Sequence, residues 1–308
     1  MAESIIPVDL LNPGQVFACL GIMEAAEVLL GEVQGAFDWD DGSEARFLIV
    51  AAGSEPPIER VMRFLEEAEV IARAPAEADF LDKWNENWGK EPQTNTVGTP
   101  FPSPNPDKPA KLPAVLRDDS GFELTIDYWA DSTKRDDVKF WAGSRGKPGV
   151  AIVREALDSV RGMIRQMSNN PFAIEAKQTI SLRFDWRRDY IPVQDGFSPN
   201  NHRTERVPIS MVGFPVVEVL AAFGMTNARP YPKSKTRYSY TVLGLGQYES
   251  RLTDLTFHRA ALGSKDLPIP NWPNRRFLMH LDYPGRDGDA RCITQVTEET
   301  NFHGISVQ

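Results

Sequence analysis

With 308 residues and 41% hydrophobic side chains, the chain can bury a substantial core in one large or two ordinary domains. Its formal net charge of −9 excludes a protein that coats nucleic acid through bulk charge, because counterion release needs many clustered cations; any such contact has to be local. Two cysteines, Cys19 and Cys292, cannot make a disulfide framework, "MAESIIPVDLL" lacks the basic region of a leader, and no apolar run is expected to span a membrane, so a cytoplasmic protein without a membrane partner is expected.

Residues 4–11 read as a short apolar strand. "NPGQVFACLGIMEAAEVLLGE" then opens with a turn and places Val16, Phe17, Leu20, Met23, Val28 and Leu29 at helical spacing, which predicts an amphipathic helix. "GAFDWDDGSEARFLIVAAG" reads as two strands around Asp41-Gly42, and "PPIERVMRFLEEAEVIAR" as a helix that starts at proline. Residues 1–90 thus form an N-terminal α+β module. The Pro-rich residues 91–112 are expected to be a linker or exposed loop, and residues 113–308 a C-terminal α+β module.

In that second module "FELTIDYWA" and "VKFWAG" read as neighbouring strands, and "GVAIVREALDSVRGMIRQM" as a helix. "TISLRFDWRRDY" alternates Ile180, Leu182, Phe184 and Trp186 with polar residues, the pattern of a half-buried strand. A helix "FPVVEVLAAFGMTNARP", a strand "TRYSYTVLGLG" and a hairpin of "RRFLMHLDY" with "ARCITQVTEE" complete the chain. The expected class is α+β, with mixed or antiparallel sheets and packed helices, and ferredoxin-like (RAMP-like) modules as one arrangement open to it. Aligning Gly21 with Gly224 superposes "VFACLGIMEAA" on "VLAAFGMTNAR", an echo that a duplication or two buried helix ends would both produce.

The chemistry narrows by exclusion. "KFWAGSRGKPG" (139–149) lacks both the four-residue gap of a P-loop and the hydroxyl after its lysine, so Pro148 is read as a helix start. "GLGQYE" has Glu249 where a dinucleotide fingerprint needs its third glycine. His202, His258, His280 and His303 are scattered: His280 is expected on a sheet face, and His258 and His202 as ordinary surface or loop residues. "DWDDG" and "DGD" suit turns rather than a calcium loop. No catalytic residue, metal site or cofactor is therefore expected.

What remains is a repeated pairing of cations with aromatics: Lys139, Trp141, Arg145 and Lys147; Arg183, Trp186, Arg187, Arg188 and Tyr190; Tyr231, Lys233, Lys235, Arg237 and Tyr238. Arginines and lysines can meet phosphates while aromatics stack on bases. Such strand aromatics also face cores, with the cations solvated opposite them. The candidate nucleic-acid-binding residues are Lys139, Trp141, Arg145, Lys147, Arg187, Arg188, Lys233, Lys235 and Arg237, with Trp186 and Tyr238 as stacking groups.

The order "NPGQVFACLGIMEAAEVLLG", "YWADSTKRDDVKFWAG", "FDWRRDYIPVQDGFSPN" and "PVVEVLAAFGMTNARP" resembles a small CRISPR-associated family of type I-U (I-G) loci, a large-subunit-like component of the Cascade effector. Its sharpest pieces are Trp-Ala-Gly at 141–143 and Gly-Phe-Ser-Pro at 196–199. The resemblance implies a non-catalytic subunit in antiviral defence that assists crRNA-guided binding of target DNA. Its implied partners are the other type I-U effector subunits and crRNA or target DNA. A protein-only assembly or regulatory factor and a hydrolase built on scattered Asp and His residues are the alternatives.

Overall fold

Asn12 sets the start of the longest helix: its side chain accepts the Gln15 N–H, and Pro13 occupies the first turn, where a missing donor costs nothing. The computed structural model describes residues 1–39, 45–99, 101, 106, 108–130, 148–177, 181–187, 212–246, 252–265, 269, 271–282 and 292–299. Strand β1 (Ala2–Val8) leads into that helix, α1 (Pro13–Leu30), which ends at Gly31 with φ 91°. Strands β2 (Val33–Trp39) and β3 (Ala45–Ala51) follow as an antiparallel pair, and β1 pairs antiparallel with the far side of β3. The strand order β1-β3-β2, with α1 crossing from β1 to β2, makes a split β-α-β unit with β3 between the two strands that α1 joins. On β3 the alternation is plain: Phe47 and Ile49 are buried while Arg46 points out.

Helix α2 (Pro57–Glu67) then delivers β4 (Glu69–Ala74), which does not return to complete that sheet. It enters a second sheet, parallel to the two-residue β5 (Gln93–Thr94) and antiparallel to β6 (Ala114–Arg117), which turns back as β7 (Glu123–Ile126). Helix α3 (Gly149–Asp158) is shorter than its apolar pattern suggests, since the chain turns at Gly162 with φ 83°. A small pair, β8 (Ala176–Lys177) with β9 (Val212–Gly213), precedes α4 (Pro215–Asn227). Strands β10 (Tyr231–Ser234) and β11 (Arg237–Leu243) open the third sheet, then β12 (Thr253–Asp254) crosses to β2 and α5 (Leu255–Gly263) follows. Strands β13 (Asn274–Asp282) and β14 (Cys292–Glu298) complete that sheet in the order β10-β11-β13-β14.

The fold is therefore α+β, with antiparallel and mixed sheets around packed helices. Two expectations change. Helix α1 is not amphipathic: Pro13 through Ala26 are buried on every side, because the helix lies between the sheets and α4. It is long and apolar enough to cross a membrane by composition, yet 83% of it is buried inside the protein, the setting of a core helix. The stretch around Phe184 is not a strand either; within residues 181–187 Arg183 has φ 71° and no ladder forms. The expected strand at "VKFWAG" and most of the loop after Arg187 lie outside the described residues.

The core itself is continuous. One buried apolar cluster runs from Ile6 to Val296, and it contains side chains from both sides of residues 91–112.

Candidate functional site

The first turns of α1 and α4 converge on residues 181–187. Glu218, in the first turn of α4, accepts the N–H groups of Phe184 and Asp185 at 3.1 and 3.0 Å, while the Arg183 N–H donates to Ser181 Oγ at 3.2 Å. Two successive amides next to Arg183, whose φ is 71°, hold the chain's own carboxyl as a backbone nest holds an anion. From α1, Asn12 donates through Nδ2 to Asp185 Oδ1 at 2.8 Å and accepts the Trp186 N–H at 3.0 Å. Gly14 permits the close seat: a Cβ there would lie 2.5 Å from the Phe184 carbonyl oxygen. Arg187 closes the far end. Its Nε donates to Asp185 Oδ2 at 3.1 Å, Nη2 donates to the Phe172 carbonyl at 2.6 Å, and the guanidinium sits 3.2 Å from the Phe214 ring centroid.

Asn12, Asp185 and Glu218 are at most 3% exposed. Burial pushes the Glu218 carboxyl up to about 8, with the Asp185 charge adding to the rise and the backbone amides that it accepts opposing it. Sequence reasoning passed over all three residues. The signal was present in "FPVVEVLAAFG", where one glutamate interrupts an apolar helix: a buried carboxyl needs a partner, and none lies at helical spacing.

The predicted cations separate into three groups. Lys139, Arg145, Lys147 and Arg188 lie outside the described residues, as does Trp141. Arg187 is half-buried and engaged internally as above, so it acts as a structural clamp. Lys233, Lys235 and Arg237 come together on one hairpin: Ser234 pairs with Arg237, which leaves Lys235 and Thr236 as a two-residue turn, and all three cations are exposed. Lys233 forms an ion pair with Glu299, whose carboxylate also accepts the Ser239 hydroxyl at 3.1 Å and pairs in charge with Arg276, whose Nε lies 3.1 Å away. Tyr238 is 5% exposed and faces the core, so it is not available for stacking, whereas Trp186 is half-buried.

His258 also differs from expectation. It is a buried residue of α5, with Nε2 2.8 Å from Thr253 Oγ1 and 2.9 Å from the Gly35 carbonyl oxygen, so it ties α5 and β12 to β2. Burial lowers its pKa to about 4, against the smaller upward pulls of the Gly35 carbonyl and Asp254. Among the described residues no three His, Cys, Asp or Glu side chains group as a metal site would require. No protein-family model, curated protein or solved structure matches the chain.

Proposed function

We propose that the chain is a non-catalytic subunit of a type I-U CRISPR effector that assists crRNA-guided binding of target DNA, using the β10–β11 hairpin as its local contact. The carrying observation is that hairpin, which gathers three exposed cations in a chain of net charge −9. The ordered resemblance of four segments to the type I-U family supplies the class of complex. In such assemblies base pairing reads the sequence and protein cations hold the backbone, so a small basic tip on an acidic subunit is sufficient. Its partners are the other effector subunits and crRNA or target DNA.

The assembled effector carrying Lys235→Glu and Arg237→Glu tests this reading. Loss of two phosphate contacts should weaken target binding by about tenfold and lower the salt slope by roughly 1–2. A mutant that co-purifies with all partners yet binds with unchanged affinity and slope overturns it.

The Lys233–Glu299 pair favours one second reading, a protein-only assembly factor whose hairpin charges serve its own sheet. That role predicts crosslinks to protein alone. The hydrolase alternative needs an accessible acid and base. Glu218 and Asp185 do meet, but both are enclosed and their oxygens are engaged by backbone amides, Asn12 and Arg187, which supports a clamping role for the pair.

A further inference from the structure

We propose that the outer face of the β10-β11-β13-β14 sheet is a platform for single-stranded nucleic acid, with the basic hairpin holding phosphates at one end and the sheet face receiving unstacked bases. The inference rests on the hairpin reading above and deepens it: it names the form of nucleic acid and carries the contact from the turn onto the sheet.

Register gives the sheet two different faces. Tyr238, Met279 and Val296 are cross-strand neighbours and belong to the core. The residues that alternate with them point to the other side. There one row runs Tyr231–Ser239–Leu278–Thr297 across all four strands, and the next runs Arg237–His280–Gln295 from the turn to the far edge. Arg237, Gln295 and Thr297 are exposed, while Tyr231, Leu278 and His280 are half-buried, so both rows reach solvent.

The side chains of these rows match what a splayed base offers. Tyr231 and His280 supply rings for stacking, Leu278 lies between them as an apolar floor, and Gln295 and Thr297 supply donors and acceptors for base edges. The Arg276 guanidinium lies 5.8 Å from the Tyr231 ring centroid and pairs with Glu299, which backs that ring. In and beside the rows, among the described residues, Lys233, Lys235, Arg237 and Arg276 outnumber the carboxylates Glu299 and Asp282, against the sign of a chain whose total is −9. That local excess complements phosphate. Four strands at about 4.8 Å spacing make a face about 14 Å wide, and a four-stranded sheet of this kind stacks two or three bases. A duplex keeps its base faces inside and meets only the hairpin, whereas a single strand meets the hairpin and the sheet.

Fluorescence anisotropy of the intact chain with a labelled ten-nucleotide strand, as RNA and as DNA, tests this at low ionic strength. The strand should bind tighter than its own duplex, and the tighter of the two chemistries identifies guide RNA or target DNA as the source. Removing the bases from three central nucleotides, which keeps every phosphate, should weaken binding about tenfold. Gln295→Glu with Thr297→Glu, at exposed positions on the strand farthest from the hairpin, should do the same. Equal affinity for strand and duplex overturns the platform. If Lys235→Glu with Arg237→Glu weakens binding while neither base removal nor the β14 carboxylates do, the platform is overturned and the hairpin contact stands. If none of the three changes alters binding, or the chain binds no strand, both are overturned.

Discussion

Glu24, Glu218 and His258 are three ionisable residues inside one core, and each meets burial differently. Glu24 keeps a cation: Arg259 Nε donates to it at 2.6 Å and Asn227 adds a bond at 2.8 Å. Glu218 is paired with no cation among the described residues and is driven towards its neutral form by burial, while His258 is held neutral by burial. The pH consequences of the last two oppose each other. His258, depressed from 6.5 to about 4, gives stability that is complete above 6.5 and lost as pH falls towards 4. Glu218, raised from 4.5 to about 8, gives stability that is complete below 4.5 and lost as pH rises towards 8. Between 4.5 and 6.5 the two slopes cancel, and above 6.5 only Glu218 acts, with a loss on the order of 2 kcal/mol by pH 8. Urea unfolding across this range should show a plateau and then a decline. In His258→Gln the plateau should become a continuous fall from pH 4.5, and a persistent plateau in that variant would refute the assignment. A sequence shows that such a residue sits among apolar neighbours, but its partner, and hence its charge state, is set by chain segments far away.

At the scale of elements, the echo around Gly21 and Gly224 acquires a physical meaning. A Cβ on Gly21 would overlap the Leu220 carbonyl oxygen, and one on Gly224 would overlap the Phe17 carbonyl oxygen and lie 2.8 Å from Gly21 N. Each glycine thus receives the carbonyl four residues before the other, and Glu24 and Asn227, each three residues after its glycine, hydrogen-bond across the same crossing. The crossing of α1 and α4 is reciprocal, and the matched sequence pattern is what a backbone-to-backbone contact of two helices requires. Ala at either glycine gains about 1 kcal/mol of helix propensity but meets backbone that cannot yield, for a net loss of roughly 1–3 kcal/mol. Thermal unfolding of Gly21→Ala and Gly224→Ala measures it, and a raised Tm in both would show that the helices separate easily. Period and spacing identified these helices because their apolar residues repeat locally. The same reasoning failed at Leu182, Phe184 and Trp186: alternation told which side chains are apolar, but not that the amides between them go to Asn12 and Glu218 instead of a neighbouring strand.

Over the whole molecule, the Pro-rich residues 91–112 are of two kinds: the stretch around Val97, which is 73% exposed, faces solvent, while Pro106, Pro109 and Leu112 are buried. Exposure of a connection says nothing about what crosses beside it. Here β4, before the segment, pairs antiparallel with β6, after it, from Glu69↔Arg117 to Ala72↔Ala114, and α1 is packed against α4. The core side chains Phe17, Phe184 and Tyr240 meet edge to face although they come from three distant parts of the chain. Each half alone would expose one side of β4 or β6 and one face of the helix crossing, losing backbone hydrogen bonds and apolar burial together. Proteolysis in residues 95–99 should therefore leave two fragments that co-elute on size exclusion and unfold in a single transition, while residues 1–90 and 113–308 produced separately should each lack cooperative unfolding. Independent transitions for the separate fragments would mean that the shared cluster is a contact between two finished domains. A single transition for the nicked chain would place the helix crossing and the basic hairpin on one cooperative body.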